Sequence, residues 1–203
     1  MYEQEKFWTQ SFGTDYIGRN RMEKLLPANI NFFTKILARC SKLSSVLELG
    51  CNIGANLKAI ELLSPQIKLT GVEINKNAVE IARLEFPKTK FVQQSIIEPF
   101  SSPSDLVFTK TVLIHIPPER LVNVYENLYQ NALKYILIAE YYDPNPVDVV
   151  YRGYKNKLFK RDFCGELLDR YPSLKLLDYG FTYHRDQMFP QDDISWFLLK
   201  KEY

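Results

Sequence analysis

The sequence predicts an α/β fold, a doubly wound, mostly parallel sheet with helices on both faces. Three observations predict it. Short apolar runs alternate with segments of helical spacing in the order β-α-β-α-β. The runs are apolar on both faces, as strands buried between two helix layers are. The first run passes straight into a glycine-bearing turn, VLELGCNIGANL, at the mouth of a helix.

Taken in order, an aromatic arm through Asn20 precedes a helical segment from Arg21 to Cys40, with Leu25, Ile30, Phe33, Ile36 and Leu37 on one stripe and Pro27 near its start. SVLELG reads as the first strand and ANLKAIELL as the next helix, ended by Ser64 and Pro65. KLTGVEI, KNAVEIARLEF and TKFVQQS continue as strand, helix closed by Pro87, and strand. SDLVFTK is a fourth strand, Pro117 to Asn131 a helix opened by Pro-Pro-Glu, and KYILIAEYY a fifth strand. DPNPVDVVYRGYKN reads as a long Pro-punctuated connection, the kind of loop that is often functional. LFKRDFCGELLDRY is then a helix, and LKLLDYGFTYH and DISWFLLKKEY form a final antiparallel pair around the turn-like RDQMFPQD.

Composition narrows the function classes. A chain of 203 residues suits one core, since independent cores usually need about 100 to 150 residues each. With 26 basic against 24 acidic residues, the net charge of +2 supplies no broad positive field for nucleic acid. MYEQEKFWTQ carries charge where a signal peptide needs an apolar core, and no run approaches the roughly 20 apolar residues of a membrane span. A cytoplasmic protein without membrane or nucleic-acid partners is expected. Cys40, Cys51 and Cys164 are widely spaced and make neither a zinc pattern nor a disulfide framework, so free thiols and no metal are expected.

The turn after the first strand carries the chemistry. Gly50 and Gly54 let a backbone approach a ligand closely, and the helix start offers free N–H groups and the positive dipole end. Glu73 ends the second strand about 20 residues further on, where an acid accepts both hydroxyls of an adenosine ribose. A dinucleotide fingerprint wants Gly-x-Gly-x-x-Gly; here those positions are Gly50, Asn52 and Ala55, which disfavours a nicotinamide dehydrogenase. The turn instead resembles motif I of class I S-adenosylmethionine-dependent methyltransferases, with Asn52 replacing the middle glycine, a residue that tolerates left-handed backbone.

That resemblance puts Glu48 near the donor's amino group, surrounds the donor with Cys51, Asn52, Asn56 and Ile74, sets Ser95 and Ile96 at the adenine, and sets Thr109 and Lys110 at the cofactor edge. A closer resemblance rests on FWTQSFGTDYIGRN, LELGCNIGANL, GVEIN, TVLIHIPPERL, IAEYYDPNPVDVVYRG, LFKRDF, DYGF and FPQDDISWFLL. Together these are similar to the methylases associated with pseudaminic acid biosynthesis. The resemblance implies a seven-stranded sheet with an antiparallel last strand in a single methyltransferase domain. Within it, residues 1–20 are an arm or lid, 21–42 a covering helix, 45–142 the cofactor core and 143–203 the acceptor pocket and final strand pair. It also implies a small-molecule acceptor, an acidic or nucleotide-linked sugar, and a monomer or homodimer.

Methyl transfer is an in-line displacement, so the protein aligns two reactants and, for a hydroxyl, removes a proton. His115, just after the fourth strand, and His184, in YHRD with Asp186 to orient it, are candidate bases. Glu140, Tyr141 and Tyr142 end the fifth strand, with Glu140 and Tyr142 on one face and Tyr141 on the other. Arg152, Lys160 and Arg161 are candidates for gripping an acidic group. In the arm, Trp8, Phe12 and Tyr16 are placed to close over the donor, with Arg19 pairing its carboxylate. The alternatives are a methyltransferase of a small amine, amino acid or secondary metabolite, and a noncatalytic module of a biosynthetic complex.

Overall fold

The structure, a computed structural model, describes residues 2–19 and 22–202; the side chains of Ser11, Arg19, Lys155 and Asn156 lie outside that description. Nine strands and seven α-helices occur among the described residues. In chain order they are α1 (Glu3–Thr9), α2 (Ser11–Arg19), α3 (Met22–Leu37), β1 (Ser45–Leu49), α4 (Ala55–Leu63), β2 (Lys68–Glu73), α5 (Lys76–Glu85), β3 (Lys90–Gln93) and β4 (Ser104–Lys110). Then come α6 (Leu121–Asn131), β5 (Ala132–Glu140), β6 (Val147–Tyr151), β7 (Tyr154–Lys160), α7 (Phe163–Arg170), β8 (Leu174–Phe181) and β9 (Ser195–Lys201).

Seven strands form one sheet in the order β3-β2-β1-β4-β5-β9-β8. The first five run parallel, while β9 is antiparallel to both β5 and β8. The order reverses between β1 and β4, which opens a crevice at their carboxyl ends, where ligands of such sheets bind. Period-2 alternation divides β1 and β4 between two cores. Val46, Leu106 and Phe108 meet α3, α4 and α5 on one face; Leu47, Leu49 and Val107 meet α6 and α7 on the other. Phe33 of α3 is fully buried and packs edge-on against Phe108, with ring centroids 5.2 Å apart. Burying one such ring contributes about 2–3 kcal/mol.

Several sequence expectations are corrected. The aromatic arm is two helices, α1 and α2. The segment 143–156 is not a loop throughout: from Val147 onward it forms a hairpin in which Val147, Asp148 and Val149 face Lys160, Phe159 and Leu158. Its turn, Arg152-Gly153, has positive φ at both residues (50° and 87°), the geometry that matches hairpin twist. Arginine in place of the usual Asn or Asp hid that signal. Residues 158–160 therefore belong to β7, and the helix begins only at Phe163, where Asp162 caps it by accepting from Gly165 N–H at 2.8 Å. Pro118–Arg120 is a 3-10 turn before α6. Strand β5 stops at Glu140, leaving Tyr141 and Tyr142 beyond it.

Candidate active site

After β1 the chain enters a left-handed turn, with φ of 77° at Gly50, 47° at Asn52 and 83° at Gly54. The Gly50 and Cys51 N–H groups both donate to the Val72 carbonyl, at 2.8 and 3.1 Å, which binds the turn to β2. Glycine is required at position 50, because a Cβ there would stand 2.6 Å from Val112 Cγ2. Asn52 adopts the conformation that the missing middle glycine would have taken.

Glu73, at the end of β2, holds this turn to the next one. Its two carboxylate oxygens accept from Asn52 N–H and Asn75 N–H, each at 2.8 Å, and the side chain lines a cavity at the sheet's carboxyl edge. Glu48 is buried just below, its Oε1 accepting from Asn56 Nδ2 at 2.6 Å. Its Oε2 and the Asn56 Oδ1 are buried without a partner among the described residues. Desolvation pushes the Glu48 carboxyl up to about 8.

The cavity brings together residues from distant parts of the chain. Gly50, Cys51, Asn52 and Asn56 form its floor, and Ile74, Ser95 and Ile96 one end. Trp8 and Tyr16, from α1 and α2, line its cover, which Asn75 Nδ2 ties down by donating to the Trp8 carbonyl at 2.8 Å. Lys110 and His115 complete the wall from the β4 side. His115 is buried against Trp8 and Tyr151, with centroids 4.7 and 5.1 Å away. Its Nδ1 lies 2.8 Å from the Lys157 carbonyl, which can only accept, so the proton sits on Nδ1 and Nε2 keeps a lone pair. Burial holds the imidazole down at about 4.

Other candidates stand elsewhere. Glu140 lies on the opposite face of the sheet from Lys110, where Oε1 accepts from the Val112 and Leu113 N–H groups at 2.9 and 3.0 Å. It pins the segment carrying His115, with Thr109 beside it at 3.5 Å, and burial raises it to about 7. Tyr142 is exposed. His184 is exposed too, and it pairs with Asp193 at 2.7 Å rather than with Asp186, which caps its own turn by accepting from Met188 and Phe189 N–H. Arg161 is paired with Glu166, Lys160 lies against the Tyr141 ring at 5.6 Å, and Arg152 is exposed at the hairpin tip. The Arg19 side chain lies outside the described residues.

Sequence reasoning missed Glu5, Asn29, Val112 and Asp192, all of which line the cavity. Asp192 had a usable signal. Strand β9 is antiparallel, so the loop before it arrives at the carboxyl edge of the parallel strands, beside Tyr141. Burial, and then the Asp192 carboxylate, push the Tyr141 phenol well above its ordinary range.

Residues 47–134 match the sequence profile of a methyltransferase domain. No curated protein matches the chain. Solved structures resemble it in fold at low identity. An S-adenosylmethionine-dependent methyltransferase of Leishmania major is 19% identical with a TM-score of 0.72, over 98% of this chain and 82% of that one. The plantazolicin methyltransferase BpumL, in complex with S-adenosylhomocysteine and a pentazolic desmethylPZN analogue, is 15% identical with a TM-score of 0.67, over 98% and 95%. Magnesium protoporphyrin IX methyltransferase from Synechocystis, with bound S-adenosylmethionine, is 15% identical with a TM-score of 0.66, over 100% and 99%.

The chain is thus similar to methyltransferases in two respects, a methyltransferase-domain profile over residues 47–134 and a shared fold over nearly its whole length. The donor suits the residues present. The unpartnered Oε2 of buried Glu48 calls for a polar partner, which a ligand's α-ammonium would supply, and Gly50, Cys51 and Asn52 of the turn line the cavity. Among the described residues no group of three metal-ligating side chains occurs, and no helix is long and apolar enough to cross a membrane.

Proposed function

We propose that this chain is an S-adenosylmethionine-dependent methyltransferase acting on oxygen or nitrogen of a small polar acceptor, and that the acceptor is an acidic sugar of the nonulosonic type or a related intermediate. One observation carries the reading. A single cavity holds Gly50, Cys51, Asn52 and Ile53 of the turn with Glu73 and, on another wall, Lys110, His115 and Asp192, so a nucleoside-bearing donor and a polar acceptor can share it. The motif strings resembling pseudaminic-acid-associated methylases supply the sugar class.

Bound S-adenosylmethionine supplies an electrophilic methyl group on a sulfonium. The chain supplies alignment. Glu73 accepts from ribose hydroxyls, Glu48 Oε2 from the ammonium, and Ser95 and Ile96 border the adenine. Trp8 and Tyr16 cover the site and exclude water, with residues 1–20 as its lid and 143–203 contributing to the acceptor side. His115, neutral above about pH 5, offers the Nε2 lone pair to the acceptor's hydroxyl proton. Glu5 and Asp192 on the same walls favour a second reading, a small amine as acceptor, which carboxylates would attract. Three free thiols fit a reducing cytoplasm.

Titration calorimetry with S-adenosylhomocysteine tests the donor site. Glu73→Ala is expected to weaken binding by roughly 30-fold or more, because two ligand hydroxyls lose an acceptor. No binding by folded wild-type protein overturns the reading. Screening sugar acids against small amines for a mass gain of one methylene then decides between the acceptors.

A further inference from the structure

Lys110 is the last residue of β4 and lies on the same face of the sheet as Glu48, whose ladder partner is Phe108. Its side chain lines the cavity. Among the described residues its ammonium has no hydrogen-bond or ion-pair partner, and it stands 5.8 Å from the centre of the Phe32 ring. The charged groups that act on it are Glu48, Asp192 and Glu140. Two of them are poor counter-ions: Glu48 Oε1 is taken by Asn56 and burial pushes the carboxyl up to about 8, while Glu140 lies on the opposite face of the sheet with its Oε1 taken by the Val112 and Leu113 N–H groups. The third, Asp192, is exposed and does not close an ion pair with it. Every other basic side chain put forward to grip an acid, where described, is engaged or turned to solvent: Arg161 by Glu166, Lys160 by Tyr141, Arg152 at the hairpin tip. A half-buried ammonium with no acceptor of its own is stabilised when a ligand supplies one.

We propose that Lys110 is the carboxylate receptor of this cavity, its ammonium binding a carboxylate group of a ligand held against the β4 end. The inference rests on the methyl-transfer reading of the cavity and sharpens it by naming what the ligand must carry. Two ligands can present that chemistry, the donor through its α-carboxylate and the acceptor through its acid group.

Calorimetry on the full chain separates them, with Lys110→Met removing the charge at similar length and Lys110→Arg retaining it. In the first arm, S-adenosylhomocysteine and its decarboxylated analogue are titrated into each protein. If the donor's carboxylate is bound, Lys110→Met weakens the former at least tenfold and leaves the latter within twofold, while Lys110→Arg recovers most of the loss. In the second arm, protein saturated with S-adenosylhomocysteine is titrated with N-acetylneuraminic acid and with its methyl ester. If the acceptor's carboxylate is bound, the acid binds at least tenfold tighter than the ester, and Lys110→Met removes that preference. Unchanged affinities in both arms, or failure of the acid to bind while the first arm is flat, overturn the proposal. An equal loss with carboxylated and decarboxylated ligands, not recovered by arginine, overturns it as well by marking Lys110 as structural. Failure of wild-type protein to bind S-adenosylhomocysteine is a different result, and it removes the methyl-transfer reading itself.

Discussion

The two walls of the cavity are built in different ways. The wall proposed to hold the donor comes from neighbouring strand ends, with the turn after β1, Glu73 at the end of β2 and Ser95 after β3 set by a parallel ladder in continuous register. The opposite wall is assembled from the N-terminal helices, the segment after β4 and the loop before β9, with the hairpin β6–β7 supporting His115 from behind. Single long-range contacts hold it: Lys157 to Glu3 at 2.6 Å, His115 to the Lys157 carbonyl at 2.8 Å, and Gln191 Nε2 to the Ala28 carbonyl at 2.6 Å. A ladder positions a side chain by backbone geometry alone, whereas the second wall depends on which distant side chains happen to meet. Donor binding should therefore survive changes in the second wall, and turnover should not.

The largest expected effect tests that separation directly. His115→Asn should lower turnover by about 100-fold or more, the usual worth of a positioned base, while S-adenosylhomocysteine affinity measured by calorimetry stays within about threefold. Comparable losses in both would break the division between the walls. Because His115 is held at about 4, its titration should leave no inflection in the wild-type rate between pH 5 and 8.

The donor wall is probed next by Gly50→Ala. The new methyl meets Val112 and sits at φ 77°, so stability should fall by about 2–4 kcal/mol in denaturant melts, from backbone strain and overpacking together. A neutral outcome would mean that the turn is not tightly seated.

A smaller effect is expected from Glu48→Gln. The buried carboxyl is raised from 4.5 to about 8, so its contribution to stability is fully present below about pH 4.5 and is lost as pH rises through about 8. The melting temperature of the ligand-free wild type should accordingly drop between pH 5 and pH 8, and the glutamine variant should drop less, by about 2–4 °C for each kcal/mol recovered. Glu140, raised to about 7, leaves a residual slope of the same sign. Equal slopes in the two proteins would refute the burial of an uncompensated carboxyl. Smallest of all, His184→Ala should change turnover by less than about twofold, since the side chain is exposed and bound to Asp193.

Much of the donor wall was legible in the sequence. SVLELG and KLTGVEI announce buried strands by their apolar continuity, and the glycines and Glu73 fall at their ends because the ligand edge of a parallel sheet is the strand terminus. The second wall was legible only in part. His115 could be placed, since it follows β4 directly. His184 carried the same residue type beside an acid, yet its loop turns outward and Asp193 takes the imidazole. Tyr141 and Tyr142 could be assigned to opposite faces, but not to a strand that ends before them.

The sequence by itself determined the alternation of strands and helices, the tight turn and the carboxylate beside it, because these follow from local periodicity, backbone preference and position at a strand end. Only the tertiary structure decided which charged and aromatic side chains reach the cavity. Arg161 finds Glu166 and is lost to the site, whereas Lys110 closes no ion pair among the described residues and lines the cavity. The physical reason is that an ion pair or a ring contact is set by the meeting of distant segments, and residue type at one position says nothing about the partner that arrives there.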